Sequence, residues 1–182
     1  EKLGPYIKGD KAFATDEEAR QVLTEVRSAT NFLNWRDDQD IETAFEEEEG
    51  RWRTFSEKLI AILRVSDDPE QWDEPLDDLL NWLRIVIPRP FMSKALPTCY
   101  LFLADPANHF FIKPALVQKF LEFCGNGLLR SGQYMDSDLY QSVLDTVERI
   151  QEELSDWKPR DMVDLQSFVY VVAARLEEGA VI

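Results

Sequence analysis

Apolar residues recur at helical spacing along most of the chain. The first helix has a clear start signal, because Thr15 is a hydroxyl N-cap and Glu18, three residues later, completes a capping box. An apolar stripe follows at helical period and predicts a helix to about Trp35, with Ala19, Val22, Leu23, Val26, Ala29 and Leu33 on one side. A second stripe predicts a helix over Ile41, Ala44 and Phe45, with an N-terminal cap from Asp37, Asp38 or Asp40.

Four successive carboxylates, at residues 46–49, interrupt this pattern. Like charges repel, so the run is predicted to be well solvated or to face a cation-rich partner. Gly50 follows, and a helical stripe resumes at Trp52. The pattern leaves open whether Gly50 ends one helix or only weakens a continuous one.

Prolines divide the middle of the chain. A turn is predicted at residues 66–69, and Pro75 has the residue type expected at the first position of the next helix. Residues 87–97 contain three prolines, and a helix is not expected to continue through them. The sequence therefore predicts an acidic helical half at 1–90 and a helical half with an aromatic-rich core at 91–182. This Pro-rich segment is expected to join them into one compact unit.

The second half also shows helical patterns. A short buried helix is predicted over 94–104, another from Pro114 to a C-terminal glycine at Gly125, and a strongly amphipathic one after a cap at Asp136 or Ser137. Asp161 opens the last helix, over 162–176, whose centre is apolar on every side and is expected in the core. With no convincing alternating segment, the prediction is an all-α fold: an irregular bundle of six to eight helices without significant sheet.

Composition narrows the possible functions. The chain has 182 residues, 45% of them hydrophobic, and a formal net charge of −15. Such a chain folds, and it is a poor match for a nucleic-acid backbone or an anionic membrane. No signal peptide or membrane span is visible, so a cytoplasmic protein is expected, and the initial Glu suggests an excised domain or a trimmed sequence. The acidity is uneven: residues 1–90 carry 12 basic and 22 acidic groups, and residues 91–182 carry 8 and 13.

Few residues point to catalysis. The single histidine, His109, is expected on the surface or in a loop, and both cysteines, Cys99 and Cys124, are expected to be buried free thiols. One histidine without a His/Cys cluster predicts no metal site, and no phosphate-binding loop is present. We therefore expect no cofactor and no enzyme activity. Asp161 and Asp164 are interpreted as a helix cap and a polar contact rather than as catalytic carboxylates.

The excess acid instead suggests a face for a basic protein partner. Complementary charge would speed association and make it salt-sensitive. The candidate partner-binding residues are Asp37, Asp38, Asp40, Glu46, Glu47, Glu48, Glu49, Asp67, Asp68, Asp77 and Asp78. Three alternatives remain: a mimic of nucleic acid that inhibits a DNA- or RNA-binding effector, a fragment of an enzyme whose site is completed elsewhere, and an acidic surface that serves only solubility.

Residues 95–175 resemble the C-terminal region of a widespread, uncharacterised bacterial family. The resemblance lies in Leu101–Pro106, His109–Pro114 and Pro159–Val169, with Tyr170 where the family usually has Trp. It implies no established activity. The positions that carry it are interpreted as structural: Lys113, Pro114, Arg160, Asp161, Asp164 and Gln166.

A weaker resemblance is to the accessory protein that the caspase-like protease of type III-E CRISPR systems cleaves. It implies a bacterial defence protein that binds a sigma factor and is cut when the guide-RNA complex senses target RNA. The Pro-rich segment, with Met92 and Lys94, is the predicted place of accessible backbone for such a cut.

Overall fold

The computed structural model of the chain describes residues 2–28, 30, 32–65 and 68–177. These residues form nine α-helices and no strand, so the all-α prediction is confirmed, with more helices than expected because a four-residue helix precedes the first predicted one. The helices are α1 Gly4–Ile7, α2 Asp16–Ser28, α3 Trp35–Glu46, α4 Arg51–Leu63, α5 Pro69–Val86, α6 Pro90–Ala104, α7 Pro114–Phe123, α8 Ser137–Glu153 and α9 Met162–Glu177, with a 3-10 turn at Ser155–Trp157. Within the described ranges, no helix is both long enough and apolar enough to cross a bilayer.

Helix α6 is the centre of the fold. Every residue from Met92 to Phe102 is buried, and α6 packs against α2, α4, α5 and α7. The expectation of a non-helical junction at 87–97 was therefore wrong over residues 90–97. Pro90 occupies the first helical turn, where no intrahelical N–H is needed, and Pro97 lies inside the helix and only leaves the carbonyl of Ser93 without its usual donor.

The accessible backbone expected around Met92 and Lys94 is also absent from this part of the chain. Met92 is buried, and Lys94 is only 1% exposed. The Lys94 ammonium donates to the carbonyls of Pro90 and Gln133, which ties the loop before α8 to the start of α6. Apolar residues of both predicted halves belong to one hydrophobic core.

Two helix boundaries differ from their predicted positions. Helix α2 has the predicted cap, since the Glu18 N–H donates to Thr15 Oγ1 at 3.1 Å, but it ends at Ser28 rather than near Trp35. Helix α3 begins at Trp35 after an Asn34 cap, and the Trp35 ring is largely exposed. Residue 29 of the predicted stripe lies outside the described residues.

The remaining helix ends follow local backbone chemistry. Gly50 is the N-cap residue of α4 and has φ +92°, a left-handed conformation. Because α3 ends at Glu46 and α4 begins at Arg51, the two helices are separate, which answers the question the sequence left open. Helix α5 begins at Pro69, so Pro75 is inside the helix and not at its start as expected. Asp136 caps α8 through the N–H of Leu139, and Gly125, with φ +78°, follows α7 as predicted.

Candidate functional site

The first part of the predicted acidic face is bound to arginines of the same chain. The guanidinium of Arg27, which is buried, lies 2.9 Å from Asp38 and 3.2 Å from Glu42. Arg20 reaches Glu42 at 2.8 Å and Glu46 at 2.9 Å. These carboxylates therefore join α3 to α2 and are not a free anionic row.

Asp37 has a structural role at the start of α3. Its carboxylate accepts the N–H of Asn34 at 3.1 Å, and the Asn34 side chain accepts the N–H of Asp37 in return. Partial burial raises the pKa of Asp37, while the charge of Lys113 acts in the opposite direction. Asp40, the third predicted aspartate, pairs with Arg89 just before α6.

The glutamates after α3 are engaged in a similar way. Glu47 and Glu48 each lie 3.2 Å from Arg51, whose guanidinium also donates to the carbonyl of Ala44. Glu49 is exposed and forms no hydrogen bond or ion pair with the described residues. Arg51 thus offsets the charge of two of the four glutamates, and Arg20 pairs with a third, Glu46.

The second acidic segment is also divided among separate contacts. Asp67 lies outside the described residues, and Asp68 accepts from Gln71. Asp77 accepts the backbone N–H of Ser137 at 2.8 Å and its hydroxyl at 3.0 Å, which holds the start of α8 on α5. Asp78 pairs with Lys58 on α4. These contacts give most of the proposed partner-binding carboxylates a role inside the fold.

Two of the motif residues of the second half, Lys113 and Gln166, line a groove that we call the α9 groove. One side is a stripe of α9, formed by Val163, Gln166, Ser167, Tyr170 and Val171. The rest is lined by Phe32, Phe102, Phe111, Lys113 and Leu116, and the groove has a volume of about 430 Å³. Lys113 and Gln166, far apart in the sequence, therefore belong to one surface feature.

Helix α9 has two apolar faces with different environments. Met162, Leu165, Val169 and Ala173 are buried in the core. Tyr170 and Val171, on the groove face, are 56% and 57% exposed. The expectation that this helix lies wholly in the core was wrong, because only one of its apolar faces has a partner among the described residues.

Two polar groups in the groove have unused hydrogen-bonding capacity. Gln166 Oε1 is buried and has no hydrogen-bond partner among the described residues. The Lys113 side chain is exposed and forms no hydrogen bond or ion pair with the described part of the chain, although Asp37 is near enough to interact electrostatically. The Ser167 hydroxyl, in contrast, donates to the carbonyl of Val163. A buried acceptor without a donor is unusual and marks the place where an occupant could donate.

The other motif residues serve the local structure. Asp161 caps α9 through the N–H of Val163 at 3.0 Å, as predicted. Asp164 accepts two bonds from the Arg160 guanidinium and one from its backbone N–H, each at 3.0 Å, and these bonds lower its pKa to about 2. Pro114 occupies the first turn of α7.

The groups considered for catalysis are not arranged as expected. His109 lies in a loop, one of the two positions expected for it, but it is 1% exposed and therefore not on the surface, and burial lowers its pKa to about 4. Cys99 is buried, as predicted, and burial raises its pKa to about 12. Cys124 is exposed, so the prediction that it is buried was wrong. The described residues contain no group of three or more His, Cys, Asp or Glu side chains placed to hold a metal ion.

Comparison with family models, with curated proteins and with solved structures gives no match for this chain. The groove residues that the sequence interpretation missed are mainly Phe32, Tyr170 and Val171. The signal for the last two was present, because a helix that is apolar on every side has more apolar surface than one core contact covers. No sequence signal places Phe32 beside α9.

Proposed function

We propose that this chain is a non-catalytic interaction module that binds a basic protein partner. The observation that carries the proposal is the exposed apolar face of α9 in the α9 groove, on a protein of net charge −15. Contiguous exposed apolar surface bordered by polar groups is typical of a protein-binding site. The negative charge of the whole molecule favours a cationic partner through long-range attraction.

Exposed carboxylates outside the arginine contacts add to this attraction. On α8, Glu148, Glu152 and Glu153 are exposed and form no ion pair with the described residues. Together with Glu49, they leave a negative field around the folded protein. These carboxylates, rather than the predicted set at 37–48, are the better candidates for steering a partner.

Two of the three alternatives from the sequence, the nucleic-acid mimic and the enzyme fragment, have less support. A mimic of nucleic acid needs a row of carboxylates that copies phosphates, but the arginines at 20, 27, 51 and 89 neutralise the predicted row. An enzyme site built on Asp161 and Asp164 would need carboxylates free to react, but one caps a helix and the other accepts three hydrogen bonds.

The resemblance to the type III-E accessory protein suggests which partner to test first. We propose a sigma factor in a bacterial cytoplasm, with defence as the context and proteolysis as the regulation. A cut within residues 90–97 would require local unfolding of α6, because this segment is helical and largely buried. A regulatory cut is therefore more consistent with an exposed loop than with the Pro-rich segment.

The test is recovery of a partner by the tagged full chain from cells of the source organism, followed by measurement of association rates with the purified partner. We expect a basic protein, whose association slows strongly as the salt concentration rises from about 50 to about 300 mM. The double variant Glu148→Gln/Glu152→Gln should associate more slowly than the wild type.

Lys8→Gln is the matched control, because Lys8 is exposed and its replacement makes the net charge more negative. This variant should associate as fast as the wild type or faster. Recovery of no protein, or of a partner whose association is indifferent to salt, would contradict the proposal.

A further inference from the structure

We propose that the α9 groove binds a basic amphipathic helix of the partner protein, a proposal that rests on the function proposed above. The groove exposes apolar side chains that an apolar partner could cover. Its geometry, its polar groups and its charge each limit what that partner is.

The spacing of the groove residues on α9 suits a helix. Val163, Gln166, Ser167, Tyr170 and Val171 stand at positions i, i+3, i+4, i+7 and i+8, which is the stripe a helix presents to a neighbouring helix. This stripe covers about 12 Å of the helix axis at ~1.5 Å per residue, a little over two turns. A partner helix of three to four turns would cover it fully.

The rest of the groove is a preformed aromatic surface. Phe32 stacks on Phe111 with ring centroids 4.9 Å apart and meets Phe102 at 5.6 Å. Phe102 and Phe111 are themselves core residues, so this surface is fixed by the fold. A fixed apolar surface receives side chains with little loss of its own conformational freedom.

The small number of polar groups favours a helix over an extended peptide. An extended segment needs donors and acceptors for its backbone, usually from the edge of a sheet, and the described residues contain no strand. A helix satisfies its own backbone and presents only side chains. Gln166 Oε1 then accepts a hydrogen bond from one polar side chain of the helix, such as Lys, Arg or Gln.

Charge argues against a second copy of this chain as the occupant. Two molecules of net charge −15 repel each other, whereas a helix with Lys and Arg on its outer face is attracted. Lys113 is the N-cap residue of α7 and lines the groove, so its charge and the N-terminal end of that helix make this corner of the groove positive. The carbonyl end of the docked helix is therefore expected to lie at Lys113.

The test uses a fluorescent peptide of about 15 residues, roughly four helical turns, with Leu on one face and Lys on the other. Its controls are a peptide of the same composition with the Leu residues dispersed around the helix, and a peptide with Glu in place of Lys. Binding to the full chain is measured by fluorescence anisotropy at near-physiological salt.

Two protein variants locate the binding. We expect Tyr170→Ala to weaken binding of the amphipathic Leu/Lys peptide by about tenfold or more, since a central aromatic contact is removed. Ile85→Ala, the matched control, removes an apolar side chain that is 81% exposed and lies outside the groove, and binding should change by less than about twofold. Both side chains are exposed, so neither variant opens the core.

Several outcomes would overturn the inference. Equal binding of the dispersed peptide, equal effects of the two variants, or no binding of the amphipathic peptide would each exclude a helix in this groove. A dimer in sedimentation that dissociates in Tyr170→Ala would assign the groove to a second copy. If Tyr170→Ala recovers the cellular partner as well as the wild type does, the interaction function stands and only the docking site is wrong. If no partner is recovered, the proposed function fails.

Discussion

The buried histidine makes stability depend on pH in a direction that can be measured. The ring of His109 packs beside those of Trp72 and Tyr140, with ring centroids 6.0 and 6.1 Å away, and the latter two rings also contact each other. Its Nδ1 is 3.3 Å from the Tyr140 hydroxyl, and its Nε2 is buried without a hydrogen-bond partner among the described residues. Protonation would place a charge and an unsatisfied N–H in this site.

Burial lowers the pKa of His109 from 6.5 to about 4, and the nearby charge of Asp105 only partly opposes the shift. Between these values the unfolded chain binds a proton that the native state excludes, so stability falls as the pH falls through this range. The full difference between the two pKa values corresponds to about 3 kcal/mol of stability, and about 2 kcal/mol of this stability is lost between pH 7 and pH 5. Above about pH 8 the histidine is neutral in both states and makes no pH-dependent contribution to stability.

The assay is urea unfolding of the wild type and of His109→Gln at pH 7 and pH 5, followed by tryptophan fluorescence. The variant should be less stable at pH 7, but its loss between pH 7 and pH 5 should be smaller than that of the wild type by about 2 kcal/mol. An NMR titration of His109, the only histidine in the chain, gives an independent measurement of its pKa in the native state. Equal pH dependence in both proteins, or a native titration midpoint near 6.5, would refute the reasoning.

Three further predictions concern other parts of the fold. Asp77→Ala should lower the free energy of unfolding in urea by about 2 kcal/mol, because two hydrogen bonds to the start of α8 are lost, whereas the exposed Asp78→Ala should change it by less than about 0.5 kcal/mol. A thiol reagent should label one cysteine of the native protein, Cys124, and the variant Cys124→Ser should react only when unfolding exposes Cys99. Gly50→Ala should cost about 1 kcal/mol in the same urea assay through its positive φ alone, since no atom lies within 4 Å of the added Cβ. Equal effects at the two aspartates, two rapidly labelled thiols, or an unchanged stability at position 50 would contradict these expectations.

The sequence predicted the fold class because local patterns determine it. Three helix starts with a side-chain cap, at Thr15, Asp136 and Asp161, were correctly placed, since the cap is a property of adjacent residues. The cap of α3 was misplaced, because Asn34 and not one of the predicted aspartates occupies it. The Pro-rich segment was misinterpreted because its conformation depends on tertiary packing and not on adjacent residues. Tertiary burial of α6 stabilises a helix that contains Pro97 and that local propensity disfavours.

The candidate site was less predictable. Sequence reasoning gave the α9 caps and drew attention to Lys113 and Gln166, but their meeting in one groove depends on how α9 packs beside α7. For the acidic residues, the sequence predicted one common surface that the structure does not contain among its described residues. Their clustering in sequence suggested one face, yet the arginines that pair with them, such as Arg27 and Arg89, come from other elements and cannot be paired from sequence alone.

The central position of α6 has a consequence for how the protein is made. The apolar faces of α2, α4 and α5 are all synthesised before α6, the helix on which they pack, emerges from the ribosome. The nascent chain up to residue 89 therefore has no complete core, and its apolar faces stay available to chaperones or to other nascent chains. The core is completed only after α7, α8 and α9 have also been synthesised, because residues of these helices belong to it, so α6 is necessary for the packing of the first helices but is not the last element required.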